Sequence, residues 1–414
     1  MKKLKIFVIL LLCVSLVTLT GCWDYIDIDR FAIVSGVAID KPVNDNNYHL
    51  TFEIADISNG SESPIKPIIL ESEGRSMYEA ISNASLKSSL KLYFSHCSLF
   101  ILSKDIAKEG ILPILDYINR DSVMRIKSHI AVSTMNTAKE LLLANPTSEH
   151  LVAYEISDLL LKDSKDSAKS PLVWLYQTAD IVDGEGIALT VPAIKTISQD
   201  NSINEKGKSG GSGSSSGGES KSKSDSEGNK IKSAQIPLIV GSGVFNEDKL
   251  IGFLTPDETQ NLMFVKDKVK RGPMFIKKGI NGKGVTLNIT DSKTEITPEV
   301  KGNDVTMKIK IKTKASLIDD ESETTYETEE EIKKLGIIAG DQLKEQVTKV
   351  IKKVQKDFNS DIFGFGKKIY EKDFKDWQTL EKNWKENFRS VKVDVEAKVE
   401  IVSTSVEKSK IGGK

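Results

Sequence analysis

VTMKIKIKTKASL, residues 305–317, alternates strictly between apolar and polar positions. Met307, Ile309, Ile311 and Ala315 fall on one side, and Lys308, Lys310, Lys312 and Lys314 on the other. Successive side chains of a strand point to opposite faces, so a period of two predicts a strand with one face on a core and one in water. VKVDVEAKVEI (391–401) repeats the pattern through Val391, Val393, Val395, Ala397, Val399 and Ile401. Between these strands the period changes to that of a helix, with the stripe Leu335, Ala339, Leu343, Val347, Val350, Ile351, Val354, Phe358. Thr328 and Glu331 stand at capping-box spacing before it. From 332 to 358 such a helix measures about 40 Å. The spacing therefore predicts a C-terminal domain, 273–405, of α+β type: a mostly antiparallel sheet with a long helix laid on its apolar face. Phe374, Trp377, Leu380, Trp384 and Phe388 share one helical side in 373–388 and read as core.

Upstream, 234–254 reads as two strands joined by the turn NEDK, followed by a helix start at Thr255, Pro256 and Glu258. We assign 234–272 to a middle-domain segment. Before it, residues 198–233 hold twelve serines and seven glycines with almost nothing apolar. Such a segment cannot offset its ordering entropy by burial and reads as a flexible linker or loop. Composition leaves open whether it separates domains or is inserted within one. Residues 22–197 form an N-terminal α/β domain. Strands are expected at 31–40, 48–57, 91–103, 126–134 and 187–197. A helix capped by Ser76 with Glu79, another at 110–121, and helices at 137–144, 148–161 and 171–180 alternate with them. The fold class is thus mixed α/β and α+β, in several domains.

The N-terminus carries its own signal. Lys2, Lys3 and Lys5 precede an apolar run from Ile6 to Leu19. The run has the length of a signal-peptide core and falls short of the roughly twenty residues a membrane-spanning helix needs. Leu19-Thr20-Gly21-Cys22 then has the form of a bacterial lipobox, which makes 1–21 a signal peptide and Cys22 the lipid-attachment residue. Two acyl chains would give stable membrane anchoring. Of the three cysteines in the chain, Cys13 is removed and Cys22 acylated. That leaves Cys97 as a core thiol and excludes an intramolecular disulfide. The remaining chain has 55 basic against 59 acidic residues, with no basic excess to suggest nucleic acid binding.

Motifs for chemistry are absent. GSGVF lacks a third glycine at dinucleotide spacing and has no P-loop lysine. Gly336 and Gly340 are better explained by a helix packed closely on a sheet than by a membrane-helix contact. His49, His96, His129 and His150 are far apart in sequence, and Asp24, Asp27 and Asp29 lack the rest of a calcium loop. No catalytic, cofactor-binding or metal residue is assigned, and no enzyme activity is expected.

Taken in order, several segments resemble the Ger(x)C family, the lipoprotein C subunits of spore nutrient-germinant receptors. The lipobox runs into CWDYIDIDRFAIVSGVAID, where Cys22, Trp23, Asp24, Gly36 and Asp40 fit the family pattern. Residues 81–111 look like its helix–strand–helix segment. YINRDSVMR supplies Arg120, Asp121 and Arg125 of an Arg-Asp-x-x-x-Arg stretch. GSGVFNEDKLIGFLTPDET (241–259) and the C-terminal WKENF…VKVDVEAKVEI resemble two further blocks. The resemblance implies a non-catalytic subunit of a sporulating Gram-positive bacterium, lipid-anchored on the outer face of the spore inner membrane. Its partners there would be two other, membrane-embedded receptor subunits. It also implies an unusual three-domain fold. The segment 198–233 is unusually Gly/Ser-rich for the pattern, and no function is carried over to it. The competing reading is a solute-binding lipoprotein of a membrane transporter, which requires two matching α/β lobes around a cleft. The lysine-faced strands and single long helix of the last domain argue against a matching second lobe.

Overall fold

The computed structural model describes residues 3–7, 9, 30–41, 45–56, 66–121, 123–147, 151–198, 234–280, 282–320 and 328–404. Residues 10–29, which include the expected lipobox and Cys22, lie outside them. Two sheets organise the rest. The first is mixed, nine-stranded, and ordered β3-β2-β1-β5-β6-β7-β8-β9, with β4 also on β1. β1 (Phe31–Asp40) is joined on one side by β2 (Tyr48–Asp56) and beyond it β3 (Lys66–Gly74), and on the other, in parallel, by β5 (Leu99–Leu102). Next come β6 (His129–Ser133) and β7 (Thr190–Ser198), also parallel. β8 (Gln235–Asn246) and β9 (Lys249–Leu254) then add antiparallel strands.

The middle strands are apolar at nearly every position because both faces are covered. Val37, Ile39, Phe100, Leu102, Ile130 and Val132 enter one core, against helices α1 (Met77–Leu86), α2 (Lys104–Glu109) and α3 (Leu112–Arg120). The intervening Ala38, Leu99, Ile101 and Ala131 enter another, against α4 (Lys139–Leu142) and α5 (Val152–Asp166). A sixth helix, α6 (Leu175–Val182), leads into β7.

The single strand expected over 91–103 is two. β4 (Lys91–Tyr93) pairs with Phe31–Ile33 and β5 with Gly36–Ile39, and the chain turns away between them. β1 is irregular at the same level, between Val34 and Gly36. The amide of Ser98 donates to the Ser35 carbonyl at 2.7 Å, so β4 and β5 rejoin β1 on either side of the irregularity. The helix expected over 110–121 forms as α3, and a short helix that the periodicity does not announce, α2, precedes it; Gly110, whose φ of 137° no helix accommodates, divides the two.

The second sheet is ordered β10-β11-β12-β13. β10 (Gly272–Ile276), β11 (Val285–Lys301) and β12 (Asp304–Asp320) are antiparallel, whereas β13 (Lys392–Thr404) runs parallel to β12. A parallel pair needs a crossover. The long helix α8 (Glu329–Lys353) begins it, with the Thr328–Glu331 capping box formed as expected. At Val354 the helix widens into a π-turn ending at Asn359, shorter in regular helix than the periodicity suggests. Leu335, Ala339, Leu343 and Val347 are buried on the sheet along with Met307, Ile309, Ile311 and Ala315. Gly336 and Gly340 let the helix come down on β13. A Cβ there would stand 2.6 Å from the Val399 carbonyl oxygen and 2.8 Å from that of Ala397.

Helix α7 (Pro256–Val265) follows β9 of the first sheet, yet Leu262, Met263, Phe264 and Val265 are buried in the second core. Residues 234–265 thus serve both sheets. Three short helices, α9 (Phe365–Lys372), α10 (Phe374–Leu380) and α11 (Trp384–Ser390), lead into β13. Trp377, Leu380, Trp384 and Phe388 are core as expected, while Phe374 is 53 % exposed.

Candidate functional site

The residues singled out by sequence are mostly structural where they are described. Cys22, Trp23, Asp24, Asp27, Asp29 and His150 lie outside the described residues. Cys97 is fully buried and its thiol is pushed up to about 12 by that burial. His49, His96 and His129 do not converge with other ligating groups, and no set of three possible metal ligands gathers among the described residues. Gly36 admits α5, since a Cβ would come within 2.5 Å of the Ala153 Cβ. Asp40 accepts from the amides of Ala138 and Lys139 at 2.7 and 3.0 Å, at the start of α4. Arg120 pairs with Asp116, Asp121 accepts from the Tyr117 hydroxyl at 2.9 Å, and Arg125 reaches the Ser95 carbonyl. The Arg-Asp-x-x-x-Arg stretch therefore shapes the end of α3.

Buried carboxylates recur as backbone clasps. Glu53 on β2 accepts from Ser35 Oγ at 2.6 Å and from the amides of Val152 and Ala153 at 2.7 and 3.1 Å. It stands where the positive end of α5 favours an anion, although burial still raises its pKa. Asp361 does the same at the junction of the two sheets. It accepts from the amides of Gly364, Phe365 and Gly366 at 2.8–3.1 Å and from Trp384 Nε1 at 3.1 Å. Burial outweighs these donors and pushes its carboxyl up to about 6.

Around Asp361 the loops of the two units interlock. The Ala188 amide donates to the Asp361 carbonyl, Ser360 Oγ to the Phe245 carbonyl, and the Lys367 amide to the Gly186 carbonyl. Gly186 has φ of 67°, and a Cβ on it would come within 2.5 Å of the Gly366 carbonyl carbon. Trp377 Nε1 reaches Glu185 at 2.9 Å. Beside this seam opens a cavity of about 630 Å³ between α6 with its preceding loop and the end of α7. Its walls include Trp174, Ile181, Ile187 and Met263. Trp174 stacks on buried His129 at 4.0 Å between ring centroids. Burial lowers the His129 pKa, so that ring is a neutral support.

Three ammonium groups line the same cavity: Lys266, Lys268 and Lys367. Lys266 caps the C-terminus of α7, and its pKa is lowered to about 8, by burial first and by Lys268 and Lys367 next, against the pull of Asp361. Sequence reading passed over this cluster. Lys266 and Lys268 sit in KDKVK and Lys367 in GKK, which look like solvated charges, and the two segments are a hundred residues apart.

The chain matches two family models in succession. Residues 24–196 match the spore germination protein N-terminal domain, and residues 240–405 match the C-terminal domain of spore germination B3/GerAC-like proteins. The chain belongs to the Ger(x)C family of spore germination proteins. Spore germination protein B3 of Bacillus subtilis is 26% identical over 394 residues, spanning 93% of this chain and 94% of that one. Spore germination protein KC of the same organism is 22% identical over 418 residues, 98% of each chain. The crystal structure of the GerBC protein shares the Ger(x)C fold seen here, with a TM-score of 0.52 at 20% identity. That likeness covers 89% of this chain and 97% of GerBC. The mixed fold expected from sequence is therefore that of the family. The two family models leave 197–239 unmatched, which encloses the Gly/Ser-rich segment.

Proposed function

We propose that this chain is the lipid-anchored, non-catalytic C subunit of a spore germinant receptor, needed for nutrient-triggered germination. The observation that carries the reading is the ordered match to both family domains. Relatives named for spore germination, aligned over nearly their whole length, support it further. In this reading Cys22 is acylated and holds the protein on the outer face of the spore inner membrane. There it assembles with two membrane-embedded receptor subunits. Among the described residues no helix is long and apolar enough to cross a membrane, and attachment is assigned to Cys22. β1 begins nine positions after Cys22, a reach of at most ~30 Å, so the first sheet would lie close to the bilayer. The reading keeps three units, 22–197, 234–272 and 273–405. The middle one joins its neighbours by giving strands to one sheet and α7 to the other core.

The test is Cys22→Ala in spores, with membrane fractionation and a nutrient germination assay. Loss from the membrane and impaired germination are expected. A variant still bound to the membrane and germinating normally would refute the anchor. Cross-linking of a tagged copy in dormant-spore membranes tests the assembly. Polytopic receptor subunits are the expected products, and cross-links to an ATP-driven permease instead would overturn the subunit reading.

A further inference from the structure

The geometry points to the junction cavity as a binding site for a small organic anion, one carboxylate or phosphate group joined to a flat apolar body. Its volume of about 630 Å³ lies within the range of small-molecule sites. Such sites combine apolar walls with a few convergent polar groups, and this one has both. Trp174, held by its stack on His129, with Ile181, Ile187 and Met263, offers the apolar surface. Lys266, Lys268 and Lys367 come from two segments far apart in sequence and face one space. None of the three ammonium groups has a hydrogen-bond or ion-pair partner among the described residues.

That grouping needs a reason. Lys268 and Lys367 are exposed and Lys266 is half-buried, so water eases their mutual repulsion at the rim, yet an ammonium drawn partly out of water without a partner is still disfavoured. Lys266 shows the consequence in its lowered pKa. Asp361 exerts a pull from nearby, but its oxygens are already engaged by three amides and an indole. Asp180 also lines the cavity, at an exposed position with no ion pair among the described residues. An anion entering between the lysines would be met by charge-assisted hydrogen bonds and would relieve their repulsion. Lysine ammoniums act as point charges, so the set suits a carboxylate or a phosphate alike. The opposite charge at Asp180 restricts a second anionic group on the ligand. The site depends on no lipid anchor or receptor partner, so its test stands apart from that of the receptor reading.

Phenylacetate, phenyl phosphate, inorganic phosphate and neutral benzyl alcohol serve as probes, by titration calorimetry on the full-length chain in detergent. One or both aromatic anions should bind more tightly than inorganic phosphate and than benzyl alcohol, and which of them binds identifies the head group. Lys266→Met should weaken that binding at least about tenfold, while Lys266→Arg should retain most of it. Removing a charge that burial disfavours should leave the fold intact, which thermal melting verifies. Lys367→Gln, at the exposed rim, gives a second and milder loss. Failure of both aromatic anions to bind at millimolar concentration, or equal affinity for the folded Lys266→Met protein, overturns the site.

Discussion

Replacing Gly336 with alanine sets two effects of similar size against each other. In a helix interior the change should gain about 1 kcal/mol, because alanine is the better helix former. In this structure the new methyl would stand 2.6 Å from the Val399 carbonyl oxygen, closer than the 3.0 Å that real Cβ contacts essentially never cross. The oxygen cannot swing aside, since Val399 is paired with Thr313 in the β12–β13 ladder. Helix α8 must instead lift by roughly half an ångström or more, loosening the packed stripe of Leu335, Ala339 and Leu343. Overpacking of this kind costs about 1–3 kcal/mol. From the middle of that range the net expectation is a destabilisation of about 1 kcal/mol for Gly336→Ala, and about 2 kcal/mol for the double variant with Gly340→Ala. Ile337→Ala, at a position 65 % exposed, should change stability by less than about 0.5 kcal/mol. Urea unfolding followed by tryptophan fluorescence reads the right core, because Trp377 and Trp384 are buried in the same cluster as the helix stripe. A glycine variant as stable as the parent, or more stable by the full propensity gain, would refute the seating of α8 on β13.

Asp361 should give a pH signature. Its folded pKa is raised from 3.8 to about 6. The stability it contributes is therefore fully present below pH 3.8 and lost as pH rises through 6. Measured against Asp361→Asn by urea unfolding, the parent should lose up to about 3 kcal/mol of relative stability between pH 4 and 7. A pH-independent difference would contradict this. Cys97, fully buried, should resist Ellman's reagent in the native protein and react once it is unfolded in urea. Native labelling at the rate of a free thiol would place it elsewhere. Ser198 and Gln235 are direct partners in the β7–β8 register, with Gln235 Nε2 donating to Ser198 Oγ at 2.9 Å. Replacing 199–234 with Asn-Gly should leave stability unchanged or raise it by up to about 2.5 kcal/mol. A loss of more than about 1 kcal/mol would show that the deleted residues hold the sheet together.

What the sequence announces is what local physics controls. Strict alternation in β12 and the capping boxes at Thr255 and Thr328 depend on neighbours a few residues away, and all are formed. The break between β4 and β5 was hidden because it answers an irregularity in β1, some sixty residues earlier. The clasp of Glu53 on α5 spans about a hundred positions, and nothing near Glu53 marks it as buried. The lysine-lined cavity is illegible for the same reason. Each lysine sits in an ordinary charged stretch, and only the seam at Gly186 and Asp361 brings them to one space. Family membership was legible because it rests on the order of many weak blocks, none of which decides it alone.

The parallel pairing of β12 with β13 has a consequence for the order in which the protein can assemble. As the chain is synthesised, every strand of the first sheet is available by Leu254, whereas β12 waits beyond Asp320 for a neighbour that begins at Lys392. Through that interval its outer edge is an unoccupied template, a hazard for joining strands of other chains. The four lysines along its solvent face are well placed to discourage that. When β13 arrives it takes over the edge, and Lys392, Asp394, Glu396, Lys398 and Glu400 turn the new border into a charged one. The second sheet is thereby guarded twice, once while it waits and again after it closes.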